Sequence, residues 1–519
     1  MNYDLAALEF DGIRRLLEGL AATPYGADAA RGLESPPNVE VARQMQRAVS
    51  AARYLLESQR TLRIDSLANV RPSLRQVASP GGTLSAKALA NLLQVMDAAA
   101  KLHRWVSDEP ALYPGDARHL LADTALQSLL QTTVSASGAL RDDASESLTA
   151  LWHAQRSQSR EVEKLLKAMM QRDDVRHCLR DESKVIWQGT RAMLAVKADK
   201  TEQIRGVRRG SHYGGRDALI EPLEAVALNN QLERTSQSIG VEQQKLLCEI
   251  SAQVQQHIDA LEKMLDAITW IDLAIAAAQL SIQTGSHAPE LLDESCVELN
   301  QAYHPQLLLQ FIQGVIPRPV PITLHLNGEQ GLLLITGPNT GGKTVALKTL
   351  GLLVLMAQCG LHIPAEHDCR IGWYDAVMVD MGDRQSLYHQ LSTFAGHVEA
   401  MKRILNLAGE HSLLLLDELG TGTDPDEGAA LAMAILDELI ARRCQGLVNT
   451  HLSPLKDYAA QQQYIQNAAM VFDPKTLSPT YELQIGASGV SLGLIIAERN
   501  GLPAGLVARA RDYLKQIES

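Results

Sequence analysis

The stretch that decides the fold is LLLITGPNTGGKTVALKTLG, residues Leu332–Gly351. An apolar run leads into a glycine-rich turn and then into an amphipathic pattern, which predicts a buried strand, a tight turn and a helix. The turn meets the pattern G-x-x-x-x-G-K-[ST] at Gly337, Gly342, Lys343 and Thr344. In this context the backbone N–H groups and the positive end of the helix face an anionic phosphate group. We therefore expect a phosphate-binding loop.

The residue types in this loop indicate ATP with Mg²⁺ as the ligands. Lys343, which we expect to be catalytic as well as nucleotide-binding, reaches the β- and γ-phosphates, and the hydroxyl of Thr344 is a magnesium ligand. A chance glycine-rich turn is the alternative, and it is weakened because further parts of a nucleotide site follow in the chain. The residues that we expect to contact the nucleotide in this loop are Gly337, Pro338, Asn339, Thr340, Gly341, Gly342, Lys343, Thr344 and Val345.

Two later strand ends carry the other polar groups of such a site. The run SLLLLDELGTGTDPDEG places Asp417 and Glu418 after an apolar strand. A carboxylate in that position holds Mg²⁺, which we assign to Asp417, and an adjacent one removes a proton from the attacking water, which we assign to Glu418. In the run GLVNTHL a second apolar strand ends in His451, where a side chain faces the γ-phosphate. The alternatives are an acidic turn without chemistry and a histidine that is only structural.

Composition narrows the class of protein. A chain of 519 residues is long enough for two to four domains, and its net charge of −12 means that nucleic-acid binding requires a local basic surface. The six cysteines form no C-x-x-C pair, which argues against structural zinc and against a disulfide framework. We find no signal segment and no uncharged apolar run long enough to span a bilayer, so we expect a cytoplasmic protein without membrane contact.

The pattern along the chain predicts three parts. We expect a helical core over residues 1–138, lever helices over 139–285 with a strand-rich insertion at 184–222, and an α/β domain over 286–519. Two short helices are expected before Pro36, another from Val39 to about Glu57, and one capped by Ser85. The helical pattern from about Glu221 to Gln283 predicts one long helix. Two shorter helices broken near Gly240 are the alternative.

The strand-rich insertion is locally basic in an acidic protein. Positions 197 to 217 contain six basic and three acidic residues, so the local net charge is +3. A basic tip of this kind contacts nucleic-acid phosphates, whereas the alternative is a solvated hairpin without a ligand. The candidate nucleic-acid residues are Lys197, Lys200, Arg205, Arg208, Arg209 and Arg216.

Taken together, these motifs carry a resemblance to a known family. The chain resembles the MutS family of ABC-type ATPases, and specifically its second bacterial branch, MutS type two. The resemblance rests on TGPNTGGKT, DMGDRQSLYHQLSTFAGH, DELGTGTDPDEGAALA and NTHL, and more weakly on LEFDGIRRLLEGLAAT and ALIEPLEAVALNNQLERT. The ATPase motifs are highly specific, and the matches in the helical half are only suggestive.

The resemblance implies a multidomain fold. An all-α core and lever helices with a small strand-rich, clamp-like insertion are followed by an α/β P-loop ATPase domain of the ABC type, which also dimerises. In such a homodimer two ATPase domains enclose two nucleotides. Ser392 and Thr393 would then reach the partner's triphosphate, and Asp424 would lie near the subunit seam.

Departures from the family pattern are also informative. Mismatch-reading relatives carry a Phe-x-Glu wedge, and none of Phe10, Phe311, Phe394 and Phe472 has a Glu two residues later. Direct mismatch readout is therefore not expected. Members of this branch continue into a C-terminal Smr nuclease domain, which this sequence does not show, so we expect no nuclease activity from it. Arg384 and Tyr388 stand where the resemblance implies acidic residues.

Three functions are consistent with the sequence. The leading hypothesis is a homodimeric ATPase that clamps branched or distorted DNA in repair or in control of recombination, with ATP binding and hydrolysis switching the clamp. A ribosome-associated ATPase acting on stalled or collided ribosomes is the alternative, since DNA and rRNA present the same backbone charge. A regulatory interaction protein with an idle ATPase is the third.

Overall fold

The computed structural model describes residues 2–58, 64, 66–121, 123–179, 184–212, 216–337, 341–381, 393–473, 478–487 and 501–518. The chain forms two compact units. The first contains Met1–Ser66, Arg104–Ala117 and Asp266–Ser519, and the second contains Leu67–His103 and Arg118–Leu265. The functional division into core, lever helices and ATPase domain, with the boundaries given above, stays a prediction.

Helices dominate the first half of the chain, and strands alternate with helices in the second half. In the first half the elements are β1 Asn2–Tyr3, α1 Phe10–Leu20, α2 Pro24–Arg31, α3 Val39–Glu57, α4 Arg71–Ala78, α5 Ala86–Asp108, α6 Thr124–Thr133, α7 Glu146–Met170, α8 Asp173–Arg176, β2 Ile186–Gln188, β3 Arg191–Lys197, β4 Gly206–His212, β5 Asp217–Pro222, α9 Leu223–Gln256 and α10 Ile258–Thr284. In the second half they are β6 Glu290–Leu292, β7 Val297–Ala302, α11 Pro305–Ile312, β8 Ile322–Leu326, β9 Leu332–Thr336, α12 Lys343–Gln358, β10 Arg370–Gly372, β11 Ala376–Asp380, α13 Thr393–Leu407, β12 Ser412–Leu416, α14 Pro425–Ala441, β13 Gln445–Thr450, α15 Pro454–Gln461, β14 Ile465–Phe472, β15 Pro479–Ile485 and α16 Ala504–Glu518.

Helix ends near the N-terminus follow local capping chemistry. The two short helices and the helix from Val39 to Glu57 are confirmed as α1, α2 and α3. Thr23 accepts the backbone N–H of Gly26, and Asn38 accepts that of Val41, so each side chain satisfies a donor that the first turn leaves open. Ser85 likewise accepts the N–H of Ala88 before α5, as its position predicts.

In the second unit the helix pair α7 and α9 packs together beside a small sheet. The sheet is antiparallel in the order β2-β3-β5-β4, which confirms a strand-rich segment between the two helices. Its buried side chains, such as Leu194 and Ile220, pack with Leu166 of α7 and Ala225 of α9. The sheet therefore shares one apolar core with the helix ends.

The long helical region is interrupted, which rules out one unbroken helix, but the break does not lie near Gly240. Gly240 lies inside α9, and a Cβ atom there would meet nothing within 4 Å, so no packing requires glycine. The interruption is at His257, whose N–H bonds to the carbonyl of Val254, three residues back. This tighter bond ends α9, and α10 begins at the next residue.

One helix is more apolar than the sequence pattern suggested. Helix α10 has the length and composition of a membrane-crossing helix, but 67% of its apolar 18-residue stretch is buried inside the protein. Met264, Leu265, Ile268 and Ile271 are fully buried. Their burial shows that the apolar side chains of α10 belong to the protein's own core.

The α/β part of the first unit is built on a seven-stranded sheet. Its order is β1-β11-β12-β13-β9-β14-β15, and every pair is parallel except the last. Strands β9, β11, β12 and β13 are buried along their whole length, as expected where helices cover both faces. A smaller sheet has the order β6-β10-β7-β8. A helical N-terminal part followed by an α/β region is thus confirmed.

The edge strand β1 was not expected from the sequence. It pairs with β11, so the first residues of the chain extend the α/β sheet. The carboxylate of Asp4 accepts the N–H of Val379 at 2.9 Å and forms an ion pair with Arg403 of α13 at 2.8 Å. The N-terminal segment therefore contacts both the sheet and one of its helices.

Asp272 is a buried structural carboxylate in the same unit. It lies on α10 and accepts the N–H of Ala22 at 3.0 Å, and the N–H and hydroxyl of Thr23 at 2.8 and 2.6 Å. Burial raises its pKa. Since a Cβ atom on Gly26 would lie 2.2 Å from this carboxylate, only glycine lets the start of α2 approach so closely.

We predict that Asp272→Ala lowers the free energy of unfolding by about 2 to 4 kcal/mol, because it leaves several buried donors unsatisfied. Denaturant titration followed by circular dichroism measures this change. The control is Asp28→Ala, which removes an exposed carboxylate of α2 with a weak ion pair to Arg31. Equal stability of the two variants would contradict the structural role of Asp272.

Candidate active site

The candidate site lies where three neighbouring parallel strands end. β9 leads into Gly337, β12 leads into Asp417 and Glu418, and β13 leads into His451. Because β12 pairs with β13 and β13 pairs with β9, all three carboxyl ends meet at one edge of the sheet. That edge is where parallel α/β sheets bind their ligands.

The phosphate-binding loop has the backbone that its glycines permit. Gly337 has φ of 134° and Gly342 has φ of 93°, conformations that strain any residue with a side chain. Gly342 is the N-cap of α12, which starts at Lys343, so the N–H groups of the first turn, which have no partner within the helix, lie at the loop. Val345 lies in that turn and is partly exposed. Pro338, Asn339 and Thr340 lie outside the described residues.

The side chain of Lys343 is folded into this loop. Its Nζ donates to the carbonyl of Gly337 at 2.6 Å and to that of Thr450 at 3.4 Å, and the residue is only 2% exposed. Burial lowers the pKa of its ammonium group. Neutral carbonyls are weak partners for a buried cation, so an anionic phosphate fits this position well.

Thr344, Asp417 and Asn449 form one hydrogen-bonded group across the three strand ends. The Thr344 hydroxyl donates to one carboxylate oxygen of Asp417 at 2.7 Å, and the Asn449 amide donates to the other at 2.9 Å. Within the described part of the chain, the buried side-chain oxygen of Asn449 has no hydrogen-bond partner. Adjacent hydroxyl and carboxylate oxygens suit Mg²⁺, which takes few protein ligands and completes its shell with water and phosphate.

No larger metal cluster competes with this assignment in the described ranges, where no three His, Cys, Asp or Glu side chains converge on one point. The two predicted magnesium ligands, Thr344 and Asp417, are brought together by the fold although they lie 73 residues apart. The residues present therefore fit a magnesium nucleotide.

Glu418 sits in a strained conformation at the same edge. Its φ of 55° is in the left-handed region, which is costly for a residue with a side chain. The turn is held by two backbone bonds, from Leu419 N–H to the Asn449 carbonyl and from Thr421 N–H to the Glu418 carbonyl. Glu418 is half-buried and His451 is exposed. The ends of β12 and β13 thus place Glu418 and His451, two of the three predicted catalytic residues, at the edge that carries Asp417.

The turn after Glu418 is tightly packed. A Cβ atom on Gly428 would lie 2.1 Å from the carbonyl oxygen of Gly420, so the turn and the first part of α14 are in close contact. Asp424 caps α14 by accepting the N–H groups of Asp426 and Glu427. Its predicted place near a subunit seam stays a prediction.

Two residues that the sequence reasoning missed lie beside this turn. His397 Nδ1 and Asp380 Oδ2 are 2.8 Å apart, and both side chains are largely buried. The hydrogen bond to Asp380 raises the pKa of the imidazole. The negative charges of Glu418 and Asp417 raise this pKa further. The signal available in the sequence was an acid at a strand end followed by a histidine early in the next helix.

Other residues that the sequence analysis assigned to the nucleotide site or the subunit seam are not described. Ser392, Arg384 and Tyr388 lie outside the described residues, and Thr393 is described only as the first residue of α13. Their predicted roles at the partner's triphosphate and at the subunit seam stay predictions.

The six candidate nucleic-acid residues lie on and beside the sheet of the second unit, and the structure separates them by environment. Arg208 is exposed on β4, Arg205 is exposed just before β4, and Arg216 is exposed just before β5. The Arg209 guanidinium instead donates to Glu221 at 2.7 Å, and Lys197 Nζ lies 3.3 Å from the carbonyl of His177. Lys200 is half-buried in a short 3-10 turn.

Glu221 explains why Arg209 differs. This carboxylate is fully buried and also binds Arg191 at 2.7 Å and the Asn229 amide at 2.9 Å. A buried carboxylate needs such partners, so Arg209 has a structural role in addition to any contact with a ligand.

Comparison with known proteins places this geometry in a family. Residues 333–518 match the family model of MutS domain V, the ATPase domain of the MutS proteins. A protein named endonuclease MutS2 from Symbiobacterium thermophilum is 37% identical over 517 residues, which are 99% of this chain and 63% of that relative. The chain belongs to the MutS family, in its type two branch. Its ATPase domain therefore carries the site described above.

Further relatives, also named endonuclease MutS2, agree. Those from Pelotomaculum thermopropionicum and Thermus thermophilus are 34% and 35% identical and match 98% and 99% of this chain. The chain covers 64% and 66% of their lengths, so it spans just under two thirds of the curated relatives that it matches.

We predict that Lys343→Ala weakens ATP binding roughly 30-fold or more, since removing a hydrogen-bonded charge costs about 2 kcal/mol or more. Equilibrium binding of a fluorescent ATP analogue with Mg²⁺ measures the affinity. The matched control is Lys348→Ala, on the same helix but paired with Glu9. If the Lys343 variant bound as tightly as the control, the phosphate-binding assignment would be wrong.

Proposed function

We propose that this protein is a homodimeric, DNA-binding ATPase in which ATP binding and hydrolysis switch a clamp on branched or distorted DNA. The observation that carries the proposal is the group formed by Thr344, Asp417 and Asn449 beside the buried ammonium of Lys343. This arrangement offers positive charge, magnesium ligands and the backbone N–H groups of a helix N-terminus at one sheet edge.

In this proposal the phosphate loop and Lys343 bind the β- and γ-phosphates, and Thr344 with Asp417 hold the metal. Bound Mg²⁺ would neutralise charge on the phosphates of ATP. Asn449 keeps the Asp417 carboxylate oriented through its amide. These groups are fixed before substrate arrives, so little reorganisation is needed when charge shifts during transfer.

Glu418 and His451 act on the attacking water. Glu418 accepts one proton from the attacking water while the oxygen of that water forms a bond to the γ-phosphorus. The bond between the γ-phosphorus and the β-phosphate oxygen breaks at the same time, which releases ADP. His451 follows the strand next to β9 and orients the γ-phosphate or the water. The products are ADP and phosphate, and the strained backbone of Glu418 fixes the direction of its carboxylate.

We predict that Glu418→Ala binds ATP like the parent but hydrolyses it roughly 10² to 10⁴ times more slowly, the range expected for loss of a general base. Single-turnover hydrolysis and equilibrium binding are measured side by side. In the ATP-bound variant, sedimentation velocity should find the dimer. Parent-like turnover would remove Glu418 as the base, and a monomer under saturating ATP would remove the dimer.

A local basic surface supports the nucleic-acid part of the proposal. The exposed side chains of Arg205, Arg208 and Arg216 lie on or beside one small sheet in a protein with net charge −12. Phosphate contacts of this kind give affinity that falls with salt and carry no base sequence information. Mismatch-specific binding is not part of the proposal.

We predict that Arg205→Gln with Arg208→Gln weakens binding to a four-way DNA junction and makes its salt dependence shallower. The slope should fall by about 0.9 for each duplex phosphate that the variant no longer neutralises. Arg209 is kept because its removal would leave Glu221 partly unpaired. Fluorescence anisotropy at several salt concentrations gives the slope.

The control for this measurement, Arg15→Gln with Lys402→Gln, makes the same change in net charge on exposed side chains elsewhere. Equal slopes for both double variants would show that the strand-rich insertion is a solvated hairpin that does not bind the junction. If the salt-dependence slope changed for ribosomal RNA but not for the junction, the ribosome and not DNA would be the target.

The thiols favour a cytoplasmic location. All six cysteines are free, and four of them are buried, as expected for a protein in a reducing compartment. Cell fractionation tests this part, and recovery with membranes or in the secreted fraction would contradict it.

A further inference from the structure

The pair formed by His397 and Asp380 connects a helix to the candidate active site. Asp380 is the last residue of β11, and His397 lies in α13, one turn after its first residue. The side chains of His397 and Asp380 are 16% and 11% exposed, respectively, and His397 Nδ1 and Asp380 Oδ2 are 2.8 Å apart. A hydrogen bond shielded from water in this way is stronger than one at the surface.

Asp380 also contacts the site through its backbone. It lies opposite Leu416 in the parallel pairing of β11 with β12, and its carbonyl accepts the N–H of Asp417 at 2.8 Å. Asp417 in turn accepts the Thr344 hydroxyl. The residue that binds His397 is therefore one hydrogen bond away from a proposed magnesium ligand.

Helix α13 makes a second contact with the same region. Gly422, in the turn after Glu418, has φ of 90°, and a Cβ atom there would lie 3.2 Å from the backbone nitrogen of Phe394. The first turns of α13 thus lie against the end of β11 through His397 and against the turn after Glu418 through Phe394. The position of this part of α13 therefore affects the positions of the carboxylates of Asp417 and Glu418.

The charges around the pair favour its formation. Asp380 provides the direct partner of the imidazole, and Glu418 and Asp417 add negative potential that stabilises the protonated ring. Lys402 lies further along α13 and pairs with Glu399 on an exposed face, so it takes no part in the pair.

We propose that His397 and Asp380 are a positioning pair that holds the start of α13 against the end of β11 and thereby fixes Asp417 and Glu418 for hydrolysis. The inference rests on the proposed ATPase function. Neither residue acts on the reacting atoms. The ammonium of Lys343 is held by the carbonyls of Gly337 and Thr450 and by neither member of the pair, so disrupting the pair slows the hydrolytic step and leaves nucleotide affinity nearly unchanged.

The test compares His397→Ala with His397→Asn. Alanine removes the donor to Asp380, and we expect kcat to fall about ten- to a hundredfold, the effect of misplaced catalytic groups, with KM and ATP affinity changed by about twofold or less. Asparagine presents an amide donor near the position of Nδ1, and it should restore kcat to within about threefold of the parent. Lys402→Ala should match the parent.

A double variant separates the pair from its individual members. His397→Ala combined with Asp380→Asn should lose no more activity than the more damaged single variant, because both changes remove the same interaction. Multiplied losses would overturn the proposal, as would parent kcat in His397→Ala. A fall in kcat that asparagine does not restore, together with a lower unfolding temperature, would make His397 merely structural.

Failure of the underlying function looks different. A parent protein that binds ATP but never hydrolyses it would refute the proposed ATPase. A parent that hydrolyses ATP normally beside an equally active His397→Ala would refute only the positioning pair.

Discussion

The structure of the site depends on the buried carboxylate of Asp417. One oxygen receives the hydroxyl of Thr344 and the other receives the amide of Asn449, while the backbone N–H of Asp417 binds the carbonyl of Asp380. These bonds join the start of helix α12, which follows the phosphate-binding loop, to the ends of β11, β12 and β13. Since an unpaired buried carboxylate is costly, the fold holds these elements in one arrangement, and that arrangement is also the one that suits a magnesium nucleotide.

Charge burial organises the second unit in a similar way. Glu221 is fully buried and binds Arg191, Arg209 and Asn229, so it fixes strand β4 to the start of α9. The basic residues of this sheet are consequently not equivalent. Arg209 is held by a carboxylate, whereas Arg205 and Arg208 extend into solvent, where they can meet phosphates without weakening the fold.

Much of the fold and of the phosphate site could be predicted from local chemistry. Glycines at 337 and 342, a lysine and a threonine at fixed spacing, and an apolar run before them specify a strand, a turn and a helix start within about ten residues. Capping by Ser85 and the bounds of α3 follow from similarly short patterns. The break at His257 was missed because a single tight backbone bond ends α9, and neither Gly nor Pro marks it.

The sequence by itself determined the family motifs, the alternation of strands and helices after about residue 286, and the identity of Lys343, Thr344, Asp417 and Glu418 as candidate site residues. The tertiary structure alone decided which distant groups meet: Asp4 with Arg403, His397 with Asp380, Asp417 with Asn449, and Arg209 with Glu221. The physical reason is the distance along the chain over which each interaction acts. Propensity, capping and turn chemistry act over a few neighbouring residues, whereas pairing of buried charges depends on strand order and helix packing, which no local pattern records.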